Sequence, residues 1–235
     1  MEGRFTPADF ETDSAVADFV SHVLKPQQES RVSSYVAPGF YLESLESPWR
    51  DINSKLLRET RKQAGVNVLA TLCGSYSGLC GSAGAADVVG FISKFSVEGI
   101  LVLISPLRPI DDGPTKLTKY VRLLERLAQS FGSVIACRQP AFGLGCMALG
   151  IAGFDSGIAA GEQFDYASLM RRQAKPVEHA SDPSKANFVR KRTVYLSQLL
   201  TRVPFDVAQS ILSTSGVAGS FVCREPCCRH NLRVH

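Results

Sequence analysis

The feature that most constrains this chain is an alternation of short apolar runs with helical stripes. Val66 to Leu72, Ile100 to Ile104, Ser133 to Cys137 and Ile151 to Phe154 are near-continuous apolar segments of strand length. Runs of this kind suit strands buried on both faces. Between them the apolar residues recur at helical spacing. Trp49, Ile52, Leu56 and Thr60 form one such stripe, opened by Ser47-Pro48 and closed by Gly65. Val88, Phe91, Ile92 and Phe95 form a second. Leu117, Tyr120, Val121, Leu124, Ala128 and Phe131 form a third, opened by Asp112-Gly113-Pro114 and closed by Gly132. Phe142 to Leu149 is short, apolar and Gly-rich, which suits a helix packed closely on a sheet. A weaker run from Arg31 to Val36, stopped by Pro38, adds a fifth strand.

Strands alternating with helices predict an α/β chain of parallel β/α units with right-handed crossovers. Two architectures satisfy the pattern: an open doubly wound sheet, or part of an eight-stranded barrel. No G-x-G-x-x-G opens a helix after the first strand. Gly143-Leu144-Gly145 lacks the third glycine and an acidic residue at the right distance, which disfavours a dinucleotide fold. The expected architecture is a partial (β/α) TIM-type barrel followed by a Cys/His-rich tail.

The 235 residues are 45% hydrophobic and 20% charged, which excludes a wholly disordered chain. Residues 1–30 read as a poorly packed arm with one short helix near Ser14 to Leu24, and 31–170 as the barrel-like body. In residues 171–235 a polar loop (171–190) precedes a helix through Val194, Leu196, Leu199 and Leu200. A second helix is expected from Phe205 to Leu212, and a Cys/His-rich end closes the chain. Charge follows the same division. Residues 171–235 hold 11 Lys or Arg against 4 Asp or Glu, and the rest of the chain 15 against 18. A basic tail on a mildly acidic body suits either a solvated surface or one that faces phosphate.

Met-Glu-Gly-Arg-Phe lacks a basic region followed by an apolar core, and the seven cysteines are an odd number. A reducing, cytoplasmic setting with free thiols is therefore expected. No apolar run approaches the roughly 20 residues that cross a bilayer, so no membrane partner is expected. An incomplete barrel leaves sheet edges and an apolar face uncovered, which predicts self-association or low solubility.

In parallel α/β sheets the chemistry sits at the carboxyl ends of the strands. Those ends carry Phe40-Tyr41, Cys73-Gly74-Ser75, Pro106-Leu107-Arg108 with Asp111-Asp112 beyond, Arg138-Gln139 and Asp155-Ser156-Gly157. Asp155 directly follows an apolar strand, and the flanking glycines let a substrate approach the backbone. Such a carboxylate serves as nucleophile, general base or sugar-hydroxyl ligand, or else simply caps the turn. Glu162 and Asp165 suit pairing with Arg171 or Arg172. Arg138 suits phosphate or carboxylate and Gln139 the edge of a base; the alternative for Arg138 is a salt bridge at the sheet mouth to Asp155. Gly74-Ser75-Tyr76-Ser77-Gly78 suits a phosphate cradle, a flexible lid or a plain connection, and lacks the G-K-[ST] ending of a P-loop. Cys223, Cys227, Cys228 and His230 lie within eight residues, and four soft ligands at that density suit zinc, with His235 as a replacement ligand. Cys73, Cys80, Cys137 and Cys146 stand among apolar residues as core thiols.

A glycine-led strand ending in Phe-Asp, then a long polar loop, helices and a terminal Cys cluster resembles the C-terminal half of tRNA-guanine transglycosylase-like barrels. In that family the Asp of a Phe-Asp-Cys motif attacks the ribose carbon and releases guanine, and a later Cys/His cluster binds a structural zinc. The resemblance covers about residues 66–235. It implies Asp155 of Phe154-Asp155-Ser156 as nucleophile and Cys223, Cys227, Cys228 and His230 as zinc ligands. Arg138, Gln139, Ser156 and Gly157 would then lie against a base or phosphate of tRNA or another nucleic acid. Gly157-Ile158-Ala159 stands where the family has Pro-Thr-Arg, and the cysteine spacing differs. The alternatives are a non-catalytic incomplete barrel that binds nucleic acid or protein, and a metal-free (β/α) enzyme for a small phosphorylated molecule.

Overall fold

The computed structural model describes residues 5–65, 67–109, 112–155, 164–167, 170, 193–196 and 201–217. The chain divides into two compact units, Met1–Arg172 and Gln173–His235. In the first unit the elements run α1 (Asp13–Glu29), β1 (Tyr35–Val36), α2 (Trp49–Ala64), β2 (Val68–Ser75), α3 (Tyr76–Leu79), α4 (Ser82–Ile92), β3 (Gly99–Ser105), α5 (Pro114–Ser130), β4 (Ser133–Cys137), α6 (Pro140–Met147) and β5 (Gly153–Asp155). The five strands lie in the order β1-β2-β3-β4-β5, and every pair is parallel.

That order decides between the two architectures. A doubly wound sheet reverses direction at a switch point, which places helices on both faces. Here each crossover moves one strand in the same direction, so right-handed connections put the helices on one face and the sheet curls into a half-barrel. The chain is α/β with a partial β/α barrel.

Burial follows from that one-sided cover. Along β2 the residues alternate: Val68, Ala70, Leu72 and Gly74 are buried, while Leu69, Thr71, Cys73 and Ser75 are half-buried. The buried set joins Ile100, Val102 and Ile104 of β3 and Val134 and Ala136 of β4 beneath the helices. In α5 Tyr120, Leu123, Leu124 and Leu127 supply the opposing stripe at i, i+3, i+4 and i+7. The other face is crossed by the row Thr71, Leu101, Ile135 and Gly153, whose non-glycine members are half-buried. The apolar runs suggested equal burial of both faces; a half-barrel gives that only on the helix side.

Residues 5–30 are packed, not loose. Phe10, Val16, Val20 and Leu24 are buried with Ile52 and Leu56 of α2 in a second core cluster. Around Phe10 the rings of Phe5, Phe19, Phe40 and Trp49 lie 5.1–6.3 Å away. Thr12 caps α1 by accepting from the Ala15 N–H at 3.2 Å. Asn53 of α2, itself buried, clamps the segment before it, with Oδ1 accepting from the Phe40 N–H and Nδ2 donating to the Phe40 carbonyl, both at 2.8 Å.

In the second unit β6 (Thr193–Leu196) and β7 (Thr201–Pro204) form an antiparallel pair, followed by α7 (Phe205–Ser213). The helix expected through Val194 to Leu200 is therefore a strand where it is described. Thr193-Val194-Tyr195 is β-branched and aromatic, and Val194 and Leu196 are two apart, a strand period that overrides the wider helical spacing. No described helix is long and apolar enough to cross a membrane.

Candidate active site at the carboxyl edge of the sheet

All five strands point their carboxyl ends to one edge, and the side chains gathered there are those of the strand ends. Asp155 pairs with Cys137 across β4 and β5, so its side chain lies on the face opposite the helices. Its carboxylate is half-exposed, and its Oδ2 stands 3.8 Å from Nε of Arg138. The sequence left Arg138 open between substrate and salt bridge; the geometry brings it onto Asp155. Both partners are well hydrated, so the pair contributes under about 1 kcal/mol to folding.

Arg138 reaches this position through a backbone irregularity. Its φ is +60°, in the left-handed region that costs a non-glycine residue roughly 1–2 kcal/mol. The turn lets the Gln139 N–H donate to the Asp155 carbonyl at 2.9 Å, and the Gln139 carbonyl then accepts from Gly143 at 2.9 Å to start α6. Gln139 is fully buried, and neither Nε2 nor Oε1 has a hydrogen-bond partner. An amide in that state lowers stability by about 1–3 kcal/mol relative to a satisfied one. Gln139→Met is expected to raise the melting temperature by roughly 2–10 °C, since an apolar chain of similar length removes that cost. A lower melting temperature, read by calorimetry, would mean that the amide is satisfied in the folded protein.

The edge above β3 is closed by the segment at 164–166. Leu107 and Phe164 form an antiparallel bridge, and Tyr166 donates its N–H to Ser105 Oγ at 2.8 Å. The ring of Tyr41 stacks on that of Tyr166 at 3.8 Å and 7°. Burial raises the Tyr41 phenol above its ordinary pKa although Ser75 and Ser105 hydrogen-bond to it. It therefore stays protonated at neutral pH and donates to the Ser105 carbonyl at 3.4 Å. Arg108 donates to Asp165 at 3.1 Å, so Asp165 pairs with Arg108, and Arg171 and Arg172 lie outside the described residues.

Asp112 is structural. Burial pushes its carboxyl up, but the Arg108 N–H at 2.6 Å and the Lys116 ammonium at 2.8 Å outweigh that and hold it below the usual range. Burial pushes Cys73 and Cys80 up to about 12 and Cys137 and Cys146 up to about 11. All four are free thiols and stay protonated at neutral pH, so they are core residues and poor nucleophiles. The Gly74–Gly78 stretch does not form an open phosphate cradle. Gly74 is the last-but-one residue of β2, Tyr76–Leu79 is a helical turn, and Ser75 and Ser77 bond to each other at 2.7 Å.

Neither a known protein-family model nor a curated protein matches this chain. The candidate site therefore stands on its own residues. Ser156 and Gly157, and the proposed zinc ligands Cys223, Cys227, Cys228 and His230, lie outside the described residues. Among the described residues no group of three or more His, Cys, Asp or Glu could hold a metal ion. Ser105 and Tyr166 were not singled out from sequence. Ser105 ends an apolar strand, and Tyr166 lies in a mixed stretch, Phe164 to Met170, well away from Ser105 in the chain; only the fold brings the two together.

Proposed function

We propose that this chain is a glycosidic-bond enzyme of the base-exchange type, acting on a nucleoside within nucleic acid through Asp155. The observation that carries the reading is the place of Asp155: a half-exposed carboxylate at the carboxyl edge of a parallel β/α sheet, 3.8 Å from a guanidinium. A carboxylate oxygen there can form a bond to the anomeric carbon while the carbon–nitrogen bond breaks. The departing base leaves with the electron pair and takes up a proton, and an incoming base reverses the step. Arg138 beside Asp155 supplies positive charge toward phosphate or the departing base. The Gln139 amide, fully buried with its donor and acceptor unpaired, would meet the edge of a base on turning out of that position, and Ser156 and Gly157 follow the nucleophile along the chain. The basic segment after residue 171 contributes phosphate contacts in a cytosolic setting. Cys223, Cys227, Cys228 and His230 form a donor set that Zn²⁺ accepts, and they would hold it as a structural ion with no part in the chemistry.

The ion pair itself favours a second reading, in which Asp155 serves only to hold Arg138 and the half-barrel binds nucleic acid without turning it over. Isotope exchange separates the two. Purified protein incubated with bulk tRNA and radiolabelled guanine should transfer label into acid-precipitable RNA, and unlabelled guanine should chase it out. Retention of tRNA on a filter with no label incorporated would overturn base exchange and leave the binding reading.

A further inference from the structure

We infer that the groove between α2 and the end of α4 is a binding track for the phosphodiester backbone of a single-stranded RNA. The groove encloses about 250 Å³, and Arg50, Ser54, Lys55, Arg58, Lys94 and Phe95 line it together with Phe91 and Asp51. Residues 1–170 carry a net charge of −3, yet four of their fifteen cations meet here against one carboxylate. Asp51 is taken up by Arg50 at 3.3 Å. Lys55, Arg58 and Lys94 have no carboxylate partner among the described residues. Arg58 lies over the Phe95 ring at 5.6 Å, which holds the guanidinium in place. Lys55 is half-buried and reaches the Phe10 carbonyl at 3.5 Å.

The spacing fits a repeating anion. Arg50 and Arg58 stand two helical turns apart on α2, about 12 Å along the axis, and Ser54 between them donates its hydroxyl to the Arg50 carbonyl at 3.0 Å. Two guanidinium groups at that interval meet every second phosphate of a strand, and each donates to phosphate oxygens in a bidentate fork. A lipid surface is the poorer fit. Among the described residues the large exposed apolar ones, Phe5, Val32, Leu144, Met147, Leu149 and Val207, all lie outside the groove, so it offers a bilayer no exposed apolar side chain.

The inference shares the nucleic-acid partner of the base-exchange reading but not its chemistry. The test is fluorescence anisotropy of the full chain with a labelled single-stranded RNA over a range of salt. Each phosphate contact adds about 0.7 to the slope of log affinity against log salt. The triple variant Lys55→Gln/Arg58→Gln/Lys94→Gln should bind more weakly and lose about 2 from that slope. Arg50→Gln/Lys94→Gln leaves the Lys55–Phe10 and Arg58–Phe95 contacts intact, and should lose about 1.4. An unchanged slope in both variants would assign the RNA contacts elsewhere and overturn the track. Polyglutamate that displaces the RNA as well as an RNA competitor of equal charge would also overturn it, in favour of an acidic protein partner. Asp155→Asn should keep the wild-type slope, so loss of base exchange with the slope retained counts against the chemistry alone.

Discussion

Asp155→Asn is expected to lower the rate of base exchange on the order of 10⁴-fold or more, with the fold and the RNA affinity retained. Removing a nucleophile costs that much because the covalent step then has no bond-forming group at that position. Cys73 and Cys137, on the same edge, are held protonated by burial, which pushes them up to about 12 and 11. The substitution is isosteric, and the lost pairing with Arg138 involves two half-exposed side chains 3.8 Å apart. The melting temperature should therefore move by no more than a few degrees. Single-turnover exchange with labelled base, alongside calorimetry, measures both quantities. A variant within tenfold of the wild-type rate would remove Asp155 as nucleophile. A large fall in melting temperature would make its role structural.

Gly78→Ala is expected to be the most damaging single methyl group in the described body. A Cβ at Gly78 would meet the Glu43 carbonyl far inside any permissible contact, with the Ser44 backbone 3.0 Å away. Both partners are backbone, so no side chain can swing aside. The loop cannot retreat easily either. Leu42 donates its N–H to the Cys73 carbonyl at 2.9 Å and accepts from the Ser75 N–H at 2.7 Å, which docks it on the end of β2. Moving the loop breaks those bonds and disturbs Tyr41 at the site. Overpacking of this kind costs about 3 kcal/mol, a fall of roughly 6–12 °C in melting temperature for a domain of this size. Gly90→Ala is the matched control. It lies inside α4 with nothing within 4 Å of the added Cβ, and should stabilise by about 0.5–1 kcal/mol. Equal melting temperatures for the two variants would show that the approach of α3 to the Glu43 loop is not tight.

The strands and helices of the body were legible in the sequence because their signals are local. Ser133 to Cys137 is β4 to the residue, and Tyr120 and Leu124 of the expected stripe lie on the buried face of α5, which Leu123 and Leu127 complete. A stripe at period 3.6 or a short apolar run needs only the neighbouring residues to be read. The carboxyl-edge positions of Asp155, Arg138 and Gln139 followed from the same reading, since strand ends are fixed once strands are. The hairpin of β6 and β7 was not legible. Four apolar residues in a short segment satisfy helix and strand spacing alike, and the choice depends on a partner strand.

Tertiary structure decided what depends on pairing across the chain. Strand order, and with it the half-barrel in place of a doubly wound sheet, is a property of which edges meet, and no local pattern encodes it. The packing of Phe5, Phe10 and Phe19 of the arm on Phe40 and Trp49 joins residues more than twenty positions apart. The left-handed turn at Arg138, the unpaired amide of Gln139 and the stack of Tyr166 on Tyr41 likewise arise from long-range contacts. Sequence alone determined which residues could carry charge or hydrogen bonds and which segments had to be buried. Only the fold decided which of those groups meet, because a side chain's partner is set by the path of the backbone and not by its neighbours in the chain.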